Sequence, residues 1–175
     1  MIGKLRAKLI GISMISMLVV LLTIVGTINV VSYQKIISDA DSILSVLEEN
    51  GGKFPKMQPP PTAHQFDGKP KYRSPELPYE SRYFSVALDT SGQVITSDIK
   101  KIAAVDEEQA VTYAHTVLEK GREKGFVGDY RYIVQTSDTQ TLIIFLDCGR
   151  SLSSFRSNLI TSVWVSFLGL TAVFI

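Results

Sequence analysis

Residues 81–95, SRYFSVALDTSGQVI, decide how the middle of this chain folds. Phe84, Val86 and Leu88 alternate with Tyr83, Ser85 and Ala87, the period of two that marks a half-buried strand. Asp89-Thr90-Ser91-Gly92 supplies turn chemistry. The Asp89 carboxylate reaches backbone N–H groups just ahead of it, and Gly92 takes positive φ without a Cβ penalty. Residues 94–96 return as a second strand. Such a hairpin belongs to a water-soluble domain, yet membrane-grade apolar runs lie on either side of it in the chain.

Downstream, Asp106 followed three residues later by Gln109 forms a capping-box pattern. Ala110, Val111, Ala114, Val117 and Leu118 make the apolar face of the helix it opens, and Gly121 stops that helix. Strands are expected over 130–135 and 141–147, joined by the polar turn 136–140. After Gly149, RSLSSFRSNL has helical character and leads into an apolar run. Upstream, Tyr33, Ile36, Ile37, Ala40, Ile43, Leu44 and Leu47 recur at steps of three and four, an apolar stripe on a helix. Asn50-Gly51-Gly52 ends that helix, because Asn and Gly accept the left-handed conformation of a helix stop. The stripe packs against the domain's own sheet or forms a seam between two copies, and the spacing allows both. Residues 53–80 hold all seven prolines. Proline lacks a backbone donor and fixes φ, so this stretch reads as a proline-rich surface loop. The order is therefore long helix, loop, two strands, helix, two strands, helix. That pattern predicts an α+β fold with one antiparallel sheet and a crossing helix.

Of 175 residues, 45% are hydrophobic and 20% charged, with a net charge of +1. These averages conceal a sharp division. Residues 9–31 contain no ionisable side chain. As a helix they are roughly 34 Å long, enough to cross a hydrocarbon core of about 30 Å. A second uncharged run, 159–175, reaches only about 25 Å and has no polar residues after it. The expectation is two transmembrane helices, the second truncated in a chain that is the front part of something longer. All 17 acidic residues lie between the runs, as do 15 of the 18 basic ones once Lys4, Arg6 and Lys8 are set aside. That leaves residues 32–158 as one domain with a formal charge of 15 − 17 = −2. Its weakly acidic balance argues against nucleic acid as a partner, which demands a basic stripe.

Lys4, Arg6 and Lys8 precede the first run with no acid among them, whereas Lys35 beyond it is answered by Asp39 and Asp41. Basic flanks stay in the cytoplasm, so residues 1–8 are expected inside and 32–158 outside, in a multi-pass protein of the cell membrane. A cleaved signal peptide is the competing reading, but its apolar core is about 7–15 residues and ends in small residues. Here the apolar run is far longer, and TIVGTINVVS is a poor cleavage site. An uncleaved anchor fits better.

The search for reaction chemistry finds little. His64 lies in the proline-rich stretch and His115 in the helix after Asp106, and neither has partners at metal-ligand spacing. No nucleophile-elbow, dinucleotide or P-loop pattern occurs, and the glycines of GREKGFVGDY have the wrong spacing for cradling phosphate. Asp129, Asp138 and Asp147 fall near strand ends or in turns, where solvated carboxylates are ordinary. Arg82, Tyr130, Arg131 and Tyr132 lie on or beside strands and are the candidates for lining a pocket for a small anion. Arginines paired to carboxylates are the plainer reading of the same positions. Cys148 is the only cysteine, so no internal disulfide forms. It reads as a small buried side chain at a strand end, with an intermolecular bridge as the alternative.

Several stretches together resemble a known family. These are the basic start and single span, the helix ending ENGG, SPELPYESRYFSVALD, IAAVDEEQAVTYAHTVL, GFVGDYRYIVQ and TLIIFLDCGRSLSSFRSNL. They resemble the amino-terminal sensor region of two-component sensor histidine kinases of the Gram-positive gut anaerobe type, and the likeness extends over essentially the whole chain. The resemblance implies a PAS-like extracytoplasmic domain between two transmembrane helices, in a homodimer. A cytoplasmic kinase core would follow, using ATP and Mg and passing its phosphoryl group to a response regulator. This chain would then hold no cofactor and no catalytic residue of its own. Neither His64-Gln-Phe-Asp nor His115-Thr-Val-Leu resembles the phospho-acceptor box, which begins His-Glu. The same two-span input also serves chemoreceptors and cyclic-nucleotide enzymes, and a two-span membrane protein without an enzymatic partner is the third alternative.

Overall fold

The computed structural model describes residues 2–55 and 76–174. Most of the proline-rich stretch expected over 53–80, and His64 with it, lies outside the described residues. In chain order the elements are α1 (Ile2–Glu49), α2 (Leu77–Glu80), β1 (Tyr83–Asp89), β2 (Val94–Asp98), α3 (Glu107–Lys120), β3 (Lys124–Val127), β4 (Tyr130–Thr136), β5 (Gln140–Asp147) and α4 (Gly149–Phe174). The fold is α+β: a long amino-terminal helix and a five-stranded antiparallel sheet in the order β2-β1-β5-β4-β3. The chain divides into two compact units, Ile37–Gly149 and the pair of segments Met1–Ile36 and Arg150–Ile175.

In the first unit the opening hairpin forms as its turn residues dictate. The Asp89 carboxylate accepts from the N–H groups of Ser91 at 2.9 Å and Gln93 at 2.7 Å, and Gly92 stands at φ +83°. Beyond the hairpin, β1 pairs along its length with β5, placing Phe84 opposite Phe145 and Val86 opposite Ile143. Phe84, Val86, Leu88, Ile143, Phe145 and Tyr132 share one face of the sheet and pack with Ala110, Ala114 and Val117 of α3. Phe84 and Phe145 stack with ring centroids 4.5 Å apart. The α3 cap works as its sequence pattern predicts. Asp106 accepts from the N–H of Gln109 at 2.8 Å, and Gly121 closes the helix at φ +60°.

The opposite face lies under the end of α1. Asp41 of that helix meets Arg131 on β4, and Gly52, just past its end, sits against Ser85 on β1. Ala40, Leu44, Val46 and Leu47 are buried there. With helices on both faces, residues 83–88 of β1 are buried without interruption. The half-buried strand read from its alternation is thus buried on both faces, with Ser85 held close beneath the chain at Gly52.

Three other elements differ from expectation. Strand β3 was not legible as a strand. It forms because Gly128 and Asp129 make a two-residue loop, with Gly128 at φ +57°, between Val127 and its partner Tyr130. Glycine leading such a loop matches the twist of the flanking strands. The single turn α2 stands where proline was read as forbidding helix. Pro78 lies in its first turn, where a missing N–H costs nothing. On α3, Leu118 is exposed while Tyr113 packs on the core in its place.

In the second unit, most of the apolar run of α1 is exposed, Leu9, Ile12, Ile15, Leu22 and Ile28 among its residues, while Gly11, Met14, Leu21, Val25 and Asn29 are half-buried along one side. Among the described residues, Leu9–Glu49 is the one helical stretch long and apolar enough to cross a membrane. Three of its polar side chains bond back into the helix: Thr23 to the carbonyl of Val19, Thr27 to that of Thr23 and Asn29 to that of Val25, each at 2.8 Å. This is how polar groups are satisfied where no water reaches. Of the second expected span, residues 159–174 lie in α4, where Ile160, Val163, Trp164, Phe167 and Leu168 are exposed. Tyr33 and Phe155 touch with ring centroids 5.7 Å apart.

Candidate functional site

A cleft opens where α1 stops. Gly51 and Gly52 take φ of +63° and +83°, and the N–H of Gly52 donates to the carbonyl of Leu47 at 2.8 Å. The chain leaves the helix so close to the sheet that a Cβ on Gly52 would lie 3.2 Å from Ser85 Oγ. Only glycine satisfies both the left-handed turn and the close approach. Past this point the sheet face is concave. Register places Asp98 opposite Ser85, Thr96 and Leu142 opposite Ala87, and Gln135 opposite Leu142, so these side chains share one face. Ser85 and Ala87 are short and give the cleft its depth. Lys53, Asp98 and Lys100 make one rim, Ser137 and Gln140 the other, around a volume of about 550 Å³.

The charged rim is ordered by Asp98. Its carboxylate accepts from the backbone N–H of Lys100 at 3.3 Å and lies 3.7 Å from the Lys53 ammonium. On the far side of this rim is a second hollow of about 490 Å³, bounded by Phe54, Tyr79, Tyr83 and Lys101. The Tyr83 ring meets Phe54 edge-on, and burial raises its phenol above the ordinary pKa. Lys53, Asp98 and Lys100 therefore stand between two hollows.

The four residues marked in the sequence for an anion pocket do not converge. The Arg82 guanidinium lies 2.9 Å from Asp147, whose other oxygen accepts from the N–H of Gly149 at 2.8 Å. Tyr130 sits near that pair on the α3 face, between Phe84 and Tyr113, and burial followed by the Asp147 charge raises its phenol pKa. Tyr132 is sealed in the core on the same face beside Phe145. Arg131 points to the opposite face. Its Nε and Nη2 donate to the two oxygens of Asp41 at 2.9 and 3.1 Å, and its guanidinium lies 5.0 Å from the centre of the Phe126 ring. Both arginines thus meet carboxylates, the plainer of the two readings.

Sequence reasoning missed Lys53, Asp98 and Lys100, which come together only through strand pairing and the glycine exit of α1. The one signal was indirect: a strand face of Ser85 and Ala87 is too small to fill the space above it. Among the described residues no group of three His, Cys, Asp or Glu side chains is placed to hold a metal ion. His115 lies exposed on α3. Cys148 is buried just past β5, and burial pushes its thiol pKa up, which leaves it a poor nucleophile. In comparisons with known proteins, the chain matches no family model, no curated protein and no solved structure.

Proposed function

We propose that the chain is the membrane-bound input region of a two-component sensor histidine kinase, with residues 32–158 as a PAS-like detector outside the cell membrane. The observation that carries this reading is the continuity of α1. One helix without a break has an apolar, largely exposed stretch of membrane-spanning length at its start. The same helix is buried at Ala40, Leu44 and Leu47 in the sheet unit at its end. Such a helix joins a lipid environment to a folded domain. The strand order β2-β1-β5-β4-β3, with a helix between β2 and β3, supports the PAS-like assignment. The exposed apolar surface of α4 supports a second span, and Lys4, Arg6 and Lys8 support a cytoplasmic amino terminus.

In this reading the chain is a homodimer and performs no chemistry itself. A guest in the detector favours one of two arrangements of sheet and helix, and α1 and α4 carry the difference across the membrane as a shift or rotation of an ångström or two. A kinase core beyond the second span binds ATP and Mg and phosphorylates its own histidine, which serves a response regulator. Reading the coding sequence past Ile175 tests the assignment. A box beginning His-Glu followed by ATP-binding motifs is expected. A long coiled coil of the chemoreceptor type, a cyclase domain or an immediate stop codon would overturn it.

A further inference from the structure

We infer that the cleft at the end of α1 binds a compact organic anion, a carboxylate or phosphate group on a small polar body, with its charge received by Lys53 and Lys100. Three features argue for this. The first is charge. Among the described residues lining the cleft, Lys53 and Lys100 face one acid, Asp98, a local surplus of one positive charge. The surrounding domain, residues 32–158, is acidic overall by two charges, 17 against 15. A positive rim set in a negative domain draws an anion to one place and repels it elsewhere.

The second is the state of the rim. At 3.7 Å the Lys53 ammonium is beyond hydrogen-bond distance of Asp98, and its side chain is 70% exposed. Asp98 spends one oxygen on the Lys100 backbone, an arrangement that fixes the turn and leaves the carboxylate short of a full pairing with Lys53. A guest anion completes the coordination that Asp98 only begins. The third is the floor. The hydroxyls of Ser85 and Thr96 and the amide of Gln135 both donate and accept, so they suit a guest rich in hydroxyl or carbonyl groups. Among the described residues Ala87 and Leu142 are the apolar side chains of the lining, beside these polar ones. The volume lies within the range of small-molecule sites and suits a guest the size of a sugar acid or sugar phosphate.

The guest would touch the first residues after α1, so its binding energy acts on the end of the helix that continues toward the apolar segment. The inference rests on the proposed detector role only in calling the guest a stimulus. The test is calorimetric titration of the full chain in detergent micelles with inorganic phosphate, citrate, glucuronate and glucose 6-phosphate, with uncharged glucose as control. At least one anion should bind where glucose does not, more weakly as salt is added. Lys53→Gln and Lys100→Gln should each weaken it about tenfold or more, the loss of one charged hydrogen bond. Lys124→Gln, on the far edge of the sheet, should leave it unchanged. Whether citrate and glucuronate or the phosphates prevail separates the two anion chemistries. No binding by any anion, equal binding of glucose, or indifference to both lysine substitutions would overturn the site. A chain that binds an anion but is followed by no kinase core keeps the cleft and loses the kinase assignment. A kinase core behind a chain that binds none of the probes has the reverse consequence.

Discussion

Arg131 and Asp41 form a well-shielded ion pair in the sheet unit, with side chains 12% and 31% exposed and two parallel bonds between them. Two-point geometry and partial burial set it apart from exposed pairs such as Lys53 with Asp98, which contribute little. Removing one partner strands the other, half desolvated, and should cost about 1–3 kcal/mol. Urea unfolding of Asp41→Ala, Arg131→Met and the double variant in micelles should give a coupling of about 1 kcal/mol or more. A coupling of zero would mean that the pair does not hold α1 to β4. Asp89 makes a second prediction. The Ser91 hydroxyl bond, and after it the Gln93 N–H, hold its carboxyl below the ordinary value of 3.8. A carboxyl depressed by folding stabilises the fold above its unfolded pKa, and that contribution is lost as pH falls through the folded value. The amide resonances of Ser91 and Gln93 should therefore shift together on acidification with a midpoint below 3.8, and Asp89→Asn should abolish the transition. A midpoint at or above that value would show the turn bonds to be absent in solution.

The apolar stripe of α1 shows where sequence reading succeeds and where it stops. Its spacing called for a partner, and the stop at Asn50-Gly51-Gly52 falls where the sequence places it. Spacing cannot say which surface is the partner. For Ala40, Leu44 and Leu47 that surface lies within the chain, while Tyr33 remains 40% exposed. In a homodimer, single cysteines introduced along residues 33–47 in a Cys148→Ser background should therefore cross-link only before Ile37. Efficient cross-links at 40, 44 and 47 would require these side chains to leave their own domain. The hairpin, the capped helix α3 and strands β4 and β5 were legible because each carries its signal locally, in turn residues, a cap or alternation. Strand β3 was missed because KGFV is too short to show a period and its Gly-Asp loop was weighed for phosphate binding instead of for a turn. The cleft was illegible for a different reason. Lys53 and Lys100 stand far apart in the chain and meet across a register that no short pattern encodes.

The chain as a whole joins two kinds of surface that water does not treat alike. The outward faces of Leu9, Ile12, Val19, Leu22 and Ile24 form a large exposed apolar surface, whereas the sheet unit buries a core of its own around Phe84, Tyr132 and Phe145. Both kinds are accommodated if the apolar part of α1 spans a bilayer and the sheet unit stands outside it. That arrangement is the central claim, and accessibility of a thiol on intact cells tests it most directly. Tyr79, 76% exposed at the second hollow, is replaced by cysteine in a Cys148→Ser background, and Lys4→Cys serves as the inward control. A membrane-impermeant maleimide should label the cysteine at 79 on intact cells and the cysteine at 4 only after lysis. Labelling of the cysteine at 79 only after lysis would contradict the account.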